Sequence, residues 1–133
     1  MEAFAPKGLK ESYDNVGLMI GDKDSEISKV LLALDCTIEV VEEAIKLGVE
    51  LIITHHPLLF KKPASITMDS LQGRKIIKLI SNDINLYSSH TNLDSVHEGM
   101  NDTFMEIIKA KDIEILEENE KYPGESHGIG RIG

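Results

Sequence analysis

Cysteine occurs once, at Cys36, and tryptophan not at all. A single cysteine excludes an internal disulfide framework, and a reducing cytoplasm is the simplest setting for the chain. Cations are scarce: 14 Lys and Arg stand against 23 Asp and Glu, a net charge of −9. Such a surface repels phosphate backbones, which argues against nucleic acid as a partner. It leaves room for a small anionic substrate, because a bound cation reverses the local field. No apolar run approaches the roughly 18 residues of a membrane span, so no membrane partner is expected. The opening M-E-A-F-A-P has neither the basic nor the apolar region of a signal peptide. Internal repeats and low-complexity tracts are also missing.

What is present is an ordinary globular composition, 41% hydrophobic over 133 residues, suited to one compact domain. Met1 to Tyr13 reads as a frayed start, with no clear partners for Phe4 and Leu9. Val16 to Ile20 is a short apolar run closed by Gly21-Asp22, read as an edge or first strand. K-V-L-L-A-L, Lys29 to Leu34, is nearly continuous, as expected of a strand covered on both faces. Thr37 is a good helix N-cap, Val40, Val41, Ala44, Ile45 and Leu47 form a helical stripe, and Gly48 stops it. A strand follows at Leu51 to Thr54. The strand–helix–strand order predicts a parallel pair. Asp69 or Ser70 caps a second helix, about Leu71 to Ser81, and Ile84 to Ser88 is the next strand. A third helix, Asn101 to Ala110, is expected to turn Phe104, Ile107 and Ile108 inward. Ile113 and Ile115 alternate with acids as in a strand. The alternation predicts an α/β fold, three-layered, with a mainly parallel sheet flanked by helices. Residues 1–116 are expected to form the domain. Residues 117–133, polar and holding Gly124, Gly128, Gly130 and Gly133, show no self-contained element.

Chemistry concentrates at the carboxyl ends of the strands, where open α/β sheets bind ligands. Asp35 ends one strand, the tandem His55-His56 the next, and His90 and Asp94 follow the third. Adjacent strand residues point to opposite faces, so both imidazoles serve one pocket only if the backbone turns there, or if each binds its own ion. Histidine plus carboxylate suits a borderline divalent ion such as Zn, Fe or Mn. Such an ion makes a hydroxide nucleophile from bound water near neutral pH. Bland readings stand beside this one. The tandem histidine also fits a hydrogen-bonded turn, Asp94 an Asx turn, Asp35 a helix cap, and His90 a strand end satisfied by backbone. His97 and His127 look like solvated loop residues, and Cys36 like a small hydrophobe. Lys61-Lys62 reads as a solvated loop, with contact to an anionic substrate at the rim as the alternative.

Three stretches resemble one family. They are D-N-V-G-L-M-I-G (Asp14 to Gly21), L-A-L-D-C-T (Leu32 to Thr37) with I-T-H-H-P-L-L-F (Ile53 to Phe60), and S-H-T-N-L-D (Ser89 to Asp94) with G-M-N-D (Gly99 to Asp102). Together, in this order, they resemble the GTP cyclohydrolase I type 2 homologues, also called NIF-three-like proteins. The resemblance implies a two-lobed fold of which this chain is the N-terminal half, two divalent ions in a cleft, and toroidal hexamers. It implies that His55 and His56 each ligate a different ion. Asp94 then joins the ion of His56, and His90 lies beside the site as an extra ligand or hydrogen-bond partner, with Asp35 nearby. The implied activity is metal-dependent hydrolysis of a nucleotide-like or phosphorylated small molecule; the alternative is a noncatalytic, regulatory metal-binding protein. The family takes further ligands, a histidine and a glutamate four residues on, from a second half. No H-x-x-x-E occurs here, and the chain reads as truncated before it, so residues 117–133 would lead into that missing half. His127 does not match the missing histidine.

Overall fold

A computed structural model of the chain describes residues 1–122 and 126–133. Gly124, one of the glycines of the C-terminal segment, lies outside the described residues. The chain forms two compact units: Asn15–Ser89, and Met1–Asp14 together with His90–Gly133.

The first unit carries β1 (Gly17–Ile20), β2 (Val30–Ala33), α1 (Ile38–Leu47), β3 (Leu51–Thr54), α2 (Leu71–Ser81) and β4 (Asn85–Ser88). The sheet order is β1-β4-β3-β2. Strands β2, β3 and β4 run parallel, and β1 joins the edge antiparallel to β4. The fold is therefore α/β with a mainly parallel sheet, as the alternation of patterns predicts. Register aligns Thr54 with Ser88, so β3 and β4 end level with one another. Ile20, Ile52 and Leu86 from the strands, Val41 and Ala44 from α1, and Ile76 and Leu79 from α2 share one buried cluster.

Local signals explain the boundaries. The Thr37 hydroxyl accepts from the Val40 amide at 3.3 Å, satisfying one of the open donors at the start of α1. Gly48 closes the helix in the left-handed region, φ 63° and ψ 48°, where a side chain is disfavoured. Ser70, rather than Asp69, caps α2 through the Gly73 amide at 3.0 Å. Thr37→Ala is expected to cost about 1 kcal/mol of stability in a urea titration, the usual effect of losing an N-cap.

One expectation is overturned here. β2 is not covered on both faces: it is the outer strand of the sheet, Val30 and Leu34 are exposed, and Leu32 is 73% exposed. A continuous apolar run reports hydrophobic side chains on both faces, not what lies against them.

The second unit opens with a one-turn 3-10 helix, Lys7–Leu9, followed after His90 by α3 (Thr91–Ser95), α4 (Met100–Ile107), β5 (Glu114–Glu118) and β6 (Gly128–Ile132). β5 and β6 pair antiparallel. Ala5 and Leu9 are fully buried against Val96, so the N-terminal stretch has partners after all, far away in sequence. In α4 the inward residue is Met105; Phe104, Ile107 and Ile108 are exposed, against expectation. The stripe marks an apolar face, but that face turns to solvent. The C-terminal stretch also holds a strand where none is evident from its polarity. A Cβ at Gly128 would lie 2.2 Å from the Glu117 carbonyl oxygen, so glycine permits this close pairing. No helix among the described residues is long and apolar enough to cross a membrane.

Candidate metal centre

In the first unit, β3 delivers the tandem histidines and the ladder to β2 continues past the strand. The His55 amide donates to the Ala33 carbonyl at 3.3 Å and the His56 amide to the Leu34 carbonyl at 2.9 Å. The Thr54 hydroxyl donates to the His56 carbonyl at 2.9 Å, which folds the chain back on itself. The backbone bends at His55 and His56. This is the turn that both rings need in order to gather: their centroids are 5.2 Å apart, tilted by 50°.

The partners of the rings decide their chemistry. His55 Nδ1 lies 3.0 Å from the Ser89 carbonyl oxygen. A carbonyl only accepts, so Nδ1 carries the proton and the lone pair sits on Nε2. His56 Nδ1 lies 2.8 Å from Asp35 Oδ1. The carboxylate selects the same tautomer, as carboxylates behind metal-ligating histidines do. Asp35 thus contacts a candidate ligand, and both residues are about half-exposed.

The second unit repeats the device. His90 Nδ1 lies 2.9 Å from Oδ1 of Asp14, a fully buried carboxylate. Its other oxygen accepts from the Thr91 amide, at 3.1 Å, and from the Thr91 hydroxyl. His90 is therefore held by a carboxylate rather than by backbone. Asp94 lies one turn further, half-buried in α3; its amide donates to the His90 carbonyl at 3.1 Å, and its carbonyl accepts from the Asn101 side chain at 2.9 Å. His127 is not simply solvated, since its Nδ1 accepts from the His97 amide at 3.1 Å.

Sequence reasoning passed over two groups. Asp14 opens the D-N-V-G-L-M-I-G stretch, but its partner is 76 residues away and no local pattern reveals it. Lys75, on α2, belongs to no motif that singles it out. It lines a cavity of about 280 Å³ together with Asp35, Cys36, Thr37, His56 and Leu58. Cys36 is buried there, and burial pushes its thiol up to about 11 against the opposing pull of the Lys75 ammonium, leaving it a poor nucleophile. Lys61 and Lys62 are exposed and do not line the cavity. The second unit has its own cavity, of about 580 Å³, walled by Glu98, Asp102, Glu106, Glu114 and Glu118. Its arginine, Arg131, is already committed to Asp102.

Residues 1–133 match the Duf34/NIF3 (NGG1p interacting factor 3) family. The chain belongs to that family. Among Duf34/NIF3 relatives, the GTP cyclohydrolase 1 type 2 homologue of Clostridium perfringens is 59% identical over 99% of this chain and 50% of its own length. The protein of the same name from Clostridium acetobutylicum is 54% identical over 99% of this chain and 49% of its own. The chain spans about half the length of these curated relatives. Among solved structures, reduced HcgD from Methanocaldococcus jannaschii superposes with a TM-score of 0.83 at 41% identity, over 99% of this chain and 50% of that one. Staphylococcus aureus hypothetical protein SA1388 gives 0.81 at 48% identity, over 86% and 38%.

Proposed function

We propose that this Duf34/NIF3 chain binds a divalent cation through His55 and His56, with Asp94 and, as an extra ligand, His90 carried over from the family resemblance, and contributes to hydrolysis of a nucleotide-like or phosphorylated small molecule. One observation carries the reading: each of the three imidazoles has its Nδ1 tied to an oxygen, which points the chemistry to Nε2. His90 directly follows Ser89, whose carbonyl fixes the His55 ring. Neutral imidazoles suit Zn, Fe or Mn. Asp94 is the proposed carboxylate ligand that adds charge to this set. Asp35 and Asp14 are positioning residues, holding ring orientation and tautomer.

A bound ion supplies Lewis acidity and a water that is nucleophilic near neutral pH. The chain's own residues orient that chemistry. Asp35 and Asp14 hold their imidazoles by Nδ1, which assigns cation binding to Nε2. The β2–β3 ladder fixes the His55 and His56 backbones, so little reorganisation accompanies binding. Two ions, as the family resemblance implies, would need ligands from further chain. Self-association is part of the proposal, supported by Leu32 on β2 and Phe104 and Ile107 on α4, all large, apolar and exposed.

The test is hydrolysis of a nucleotide and phosphoester panel by the protein at the full length of its relatives, wild type against His56→Ala, with and without added metal. Metal-dependent turnover lost in the folded variant supports the enzyme. Metal binding without turnover on any substrate points instead to the noncatalytic, regulatory role.

A further inference from the structure

The first unit places one ammonium beside the proposed metal ligands. Lys75 projects from α2 into the cavity that His56 and Asp35 also line. Its Nζ donates to the Cys36 carbonyl at 2.8 Å, which pins the side chain. Among the described residues that is its one hydrogen bond, and an ammonium carries three protons. The surroundings are otherwise acidic or neutral. Asp35 is engaged with His56, and the Glu39 carboxyl is held below its usual range by its own amide and by the Thr37 hydroxyl, with Lys75 adding to the effect. A pinned lysine with protons to spare, in a chain of net charge −9, offers a point charge suited to a phosphate oxygen. The cavity, about 280 Å³, is small, on the scale of one phosphorylated group rather than a whole dinucleotide.

We propose that Lys75 is the substrate's anion anchor: its ammonium takes a phosphate oxygen in this cavity and so sets the phosphate next to His56. The proposal rests on the reading of His56 as a metal ligand for its catalytic meaning, but anion binding itself is read separately. A ligand of this class has one end at Lys75 and its reacting bond towards the cation. Lys75 thereby determines specificity for phosphorylated over neutral substrates.

The experiment is isothermal titration of the full chain with inorganic phosphate, metal-free and manganese-loaded, for wild type, Lys75→Met, Lys75→Gln and Lys75→Arg. Manganese affinity is measured on the same samples. Phosphate affinity is expected to fall about tenfold or more in the Met and Gln variants, as for loss of a charge-assisted hydrogen bond, and to be largely kept by Arg. Manganese affinity should stay unchanged in all four. A Met or Gln variant that folds and binds phosphate like wild type, in either metal state, overturns the anchor, as does a wild type that binds no phosphate. If manganese fails to bind wild type, the metal centre is wrong, and the metal-free phosphate comparison still decides the role of Lys75.

Discussion

Replacing His56 with alanine is expected to lower divalent-metal affinity by about a hundredfold or more while leaving the fold intact. The magnitude follows from what lesser changes do: altering only the groups behind metal ligands already costs about 10–100-fold. Removing the imidazole itself deletes a ligand. The fold survives because the side chain is about half-exposed, and the Asp35 carboxylate it leaves behind is exposed as well. No buried charge is stranded, so the stability change should stay within about 0.5 kcal/mol, the usual range for surface substitutions. The backbone bonds from the His55 and His56 amides to β2 do not depend on the ring. Competition against a chromophoric chelator gives the affinity, and a thermal melt of the same sample checks the fold. Unchanged affinity in a folded variant removes His56 from the centre.

Arg131→Met is expected to destabilise the second unit by about 3 kcal/mol and to flatten its response to acid. The Arg131 side chain is 3% exposed. Its guanidinium grips both oxygens of Asp102 on α4 and donates to the Gly128 and Gly130 carbonyls at 2.8 and 2.9 Å, with a longer contact to Val96 at 3.4 Å. Breaking a buried pair from one side costs about 3–5 kcal/mol, and Asp102 keeps some solvent, which places the loss at the low end. The acid response follows from Asp102. Burial opposes its ionisation, but the Arg131 hydrogen bond and charge, with the Glu98 amide, hold its carboxyl below the usual range. A native pKa lower than the unfolded one gives stability that is fully present above the unfolded value of about 3.8 and lost as pH falls through the native one. Without Arg131 the native value moves back towards the unfolded one, and that part of the acid loss disappears. Urea titrations at pH 7 and at acid pH measure both effects. Equal slopes of stability against pH in the two proteins would show that the pair is not the source.

Elements set by nearest neighbours were legible in the sequence. Thr37, Gly48 and the stripe between them define α1, and the run at Leu51–Thr54 gives β3, because caps and periodicity act within a few residues. What escaped depends on distant chain. The same apolar pattern serves a covered strand and an outer one, so β2 was assigned two buried faces where Leu32 has an open one. Leu9 needs Val96 to find its place, and polarity hid β6, whose glycines serve close pairing with β5. The site divides in the same way. His55 and His56 announce themselves by adjacency at a strand tip. The groups that set their tautomers do not: Asp35 is 21 residues away and the Ser89 carbonyl 34, and Asp14 is 76 from His90. Lys75 looks like any solvated helix residue until α2 sets it beside the end of β3.

The claim underneath all of this is that the lone pairs on Nε2 of these histidines meet a divalent cation. Crystals of the chain grown with zinc, with diffraction recorded on both sides of the zinc absorption edge, test it directly. The account predicts an anomalous peak about 2.0–2.1 Å from Nε2 of His55 or His56, with each Nδ1 still on its oxygen partner. Zinc bound through Nδ1, with Asp35 and Ser89 displaced, or no peak at these histidines at neutral pH, would contradict it.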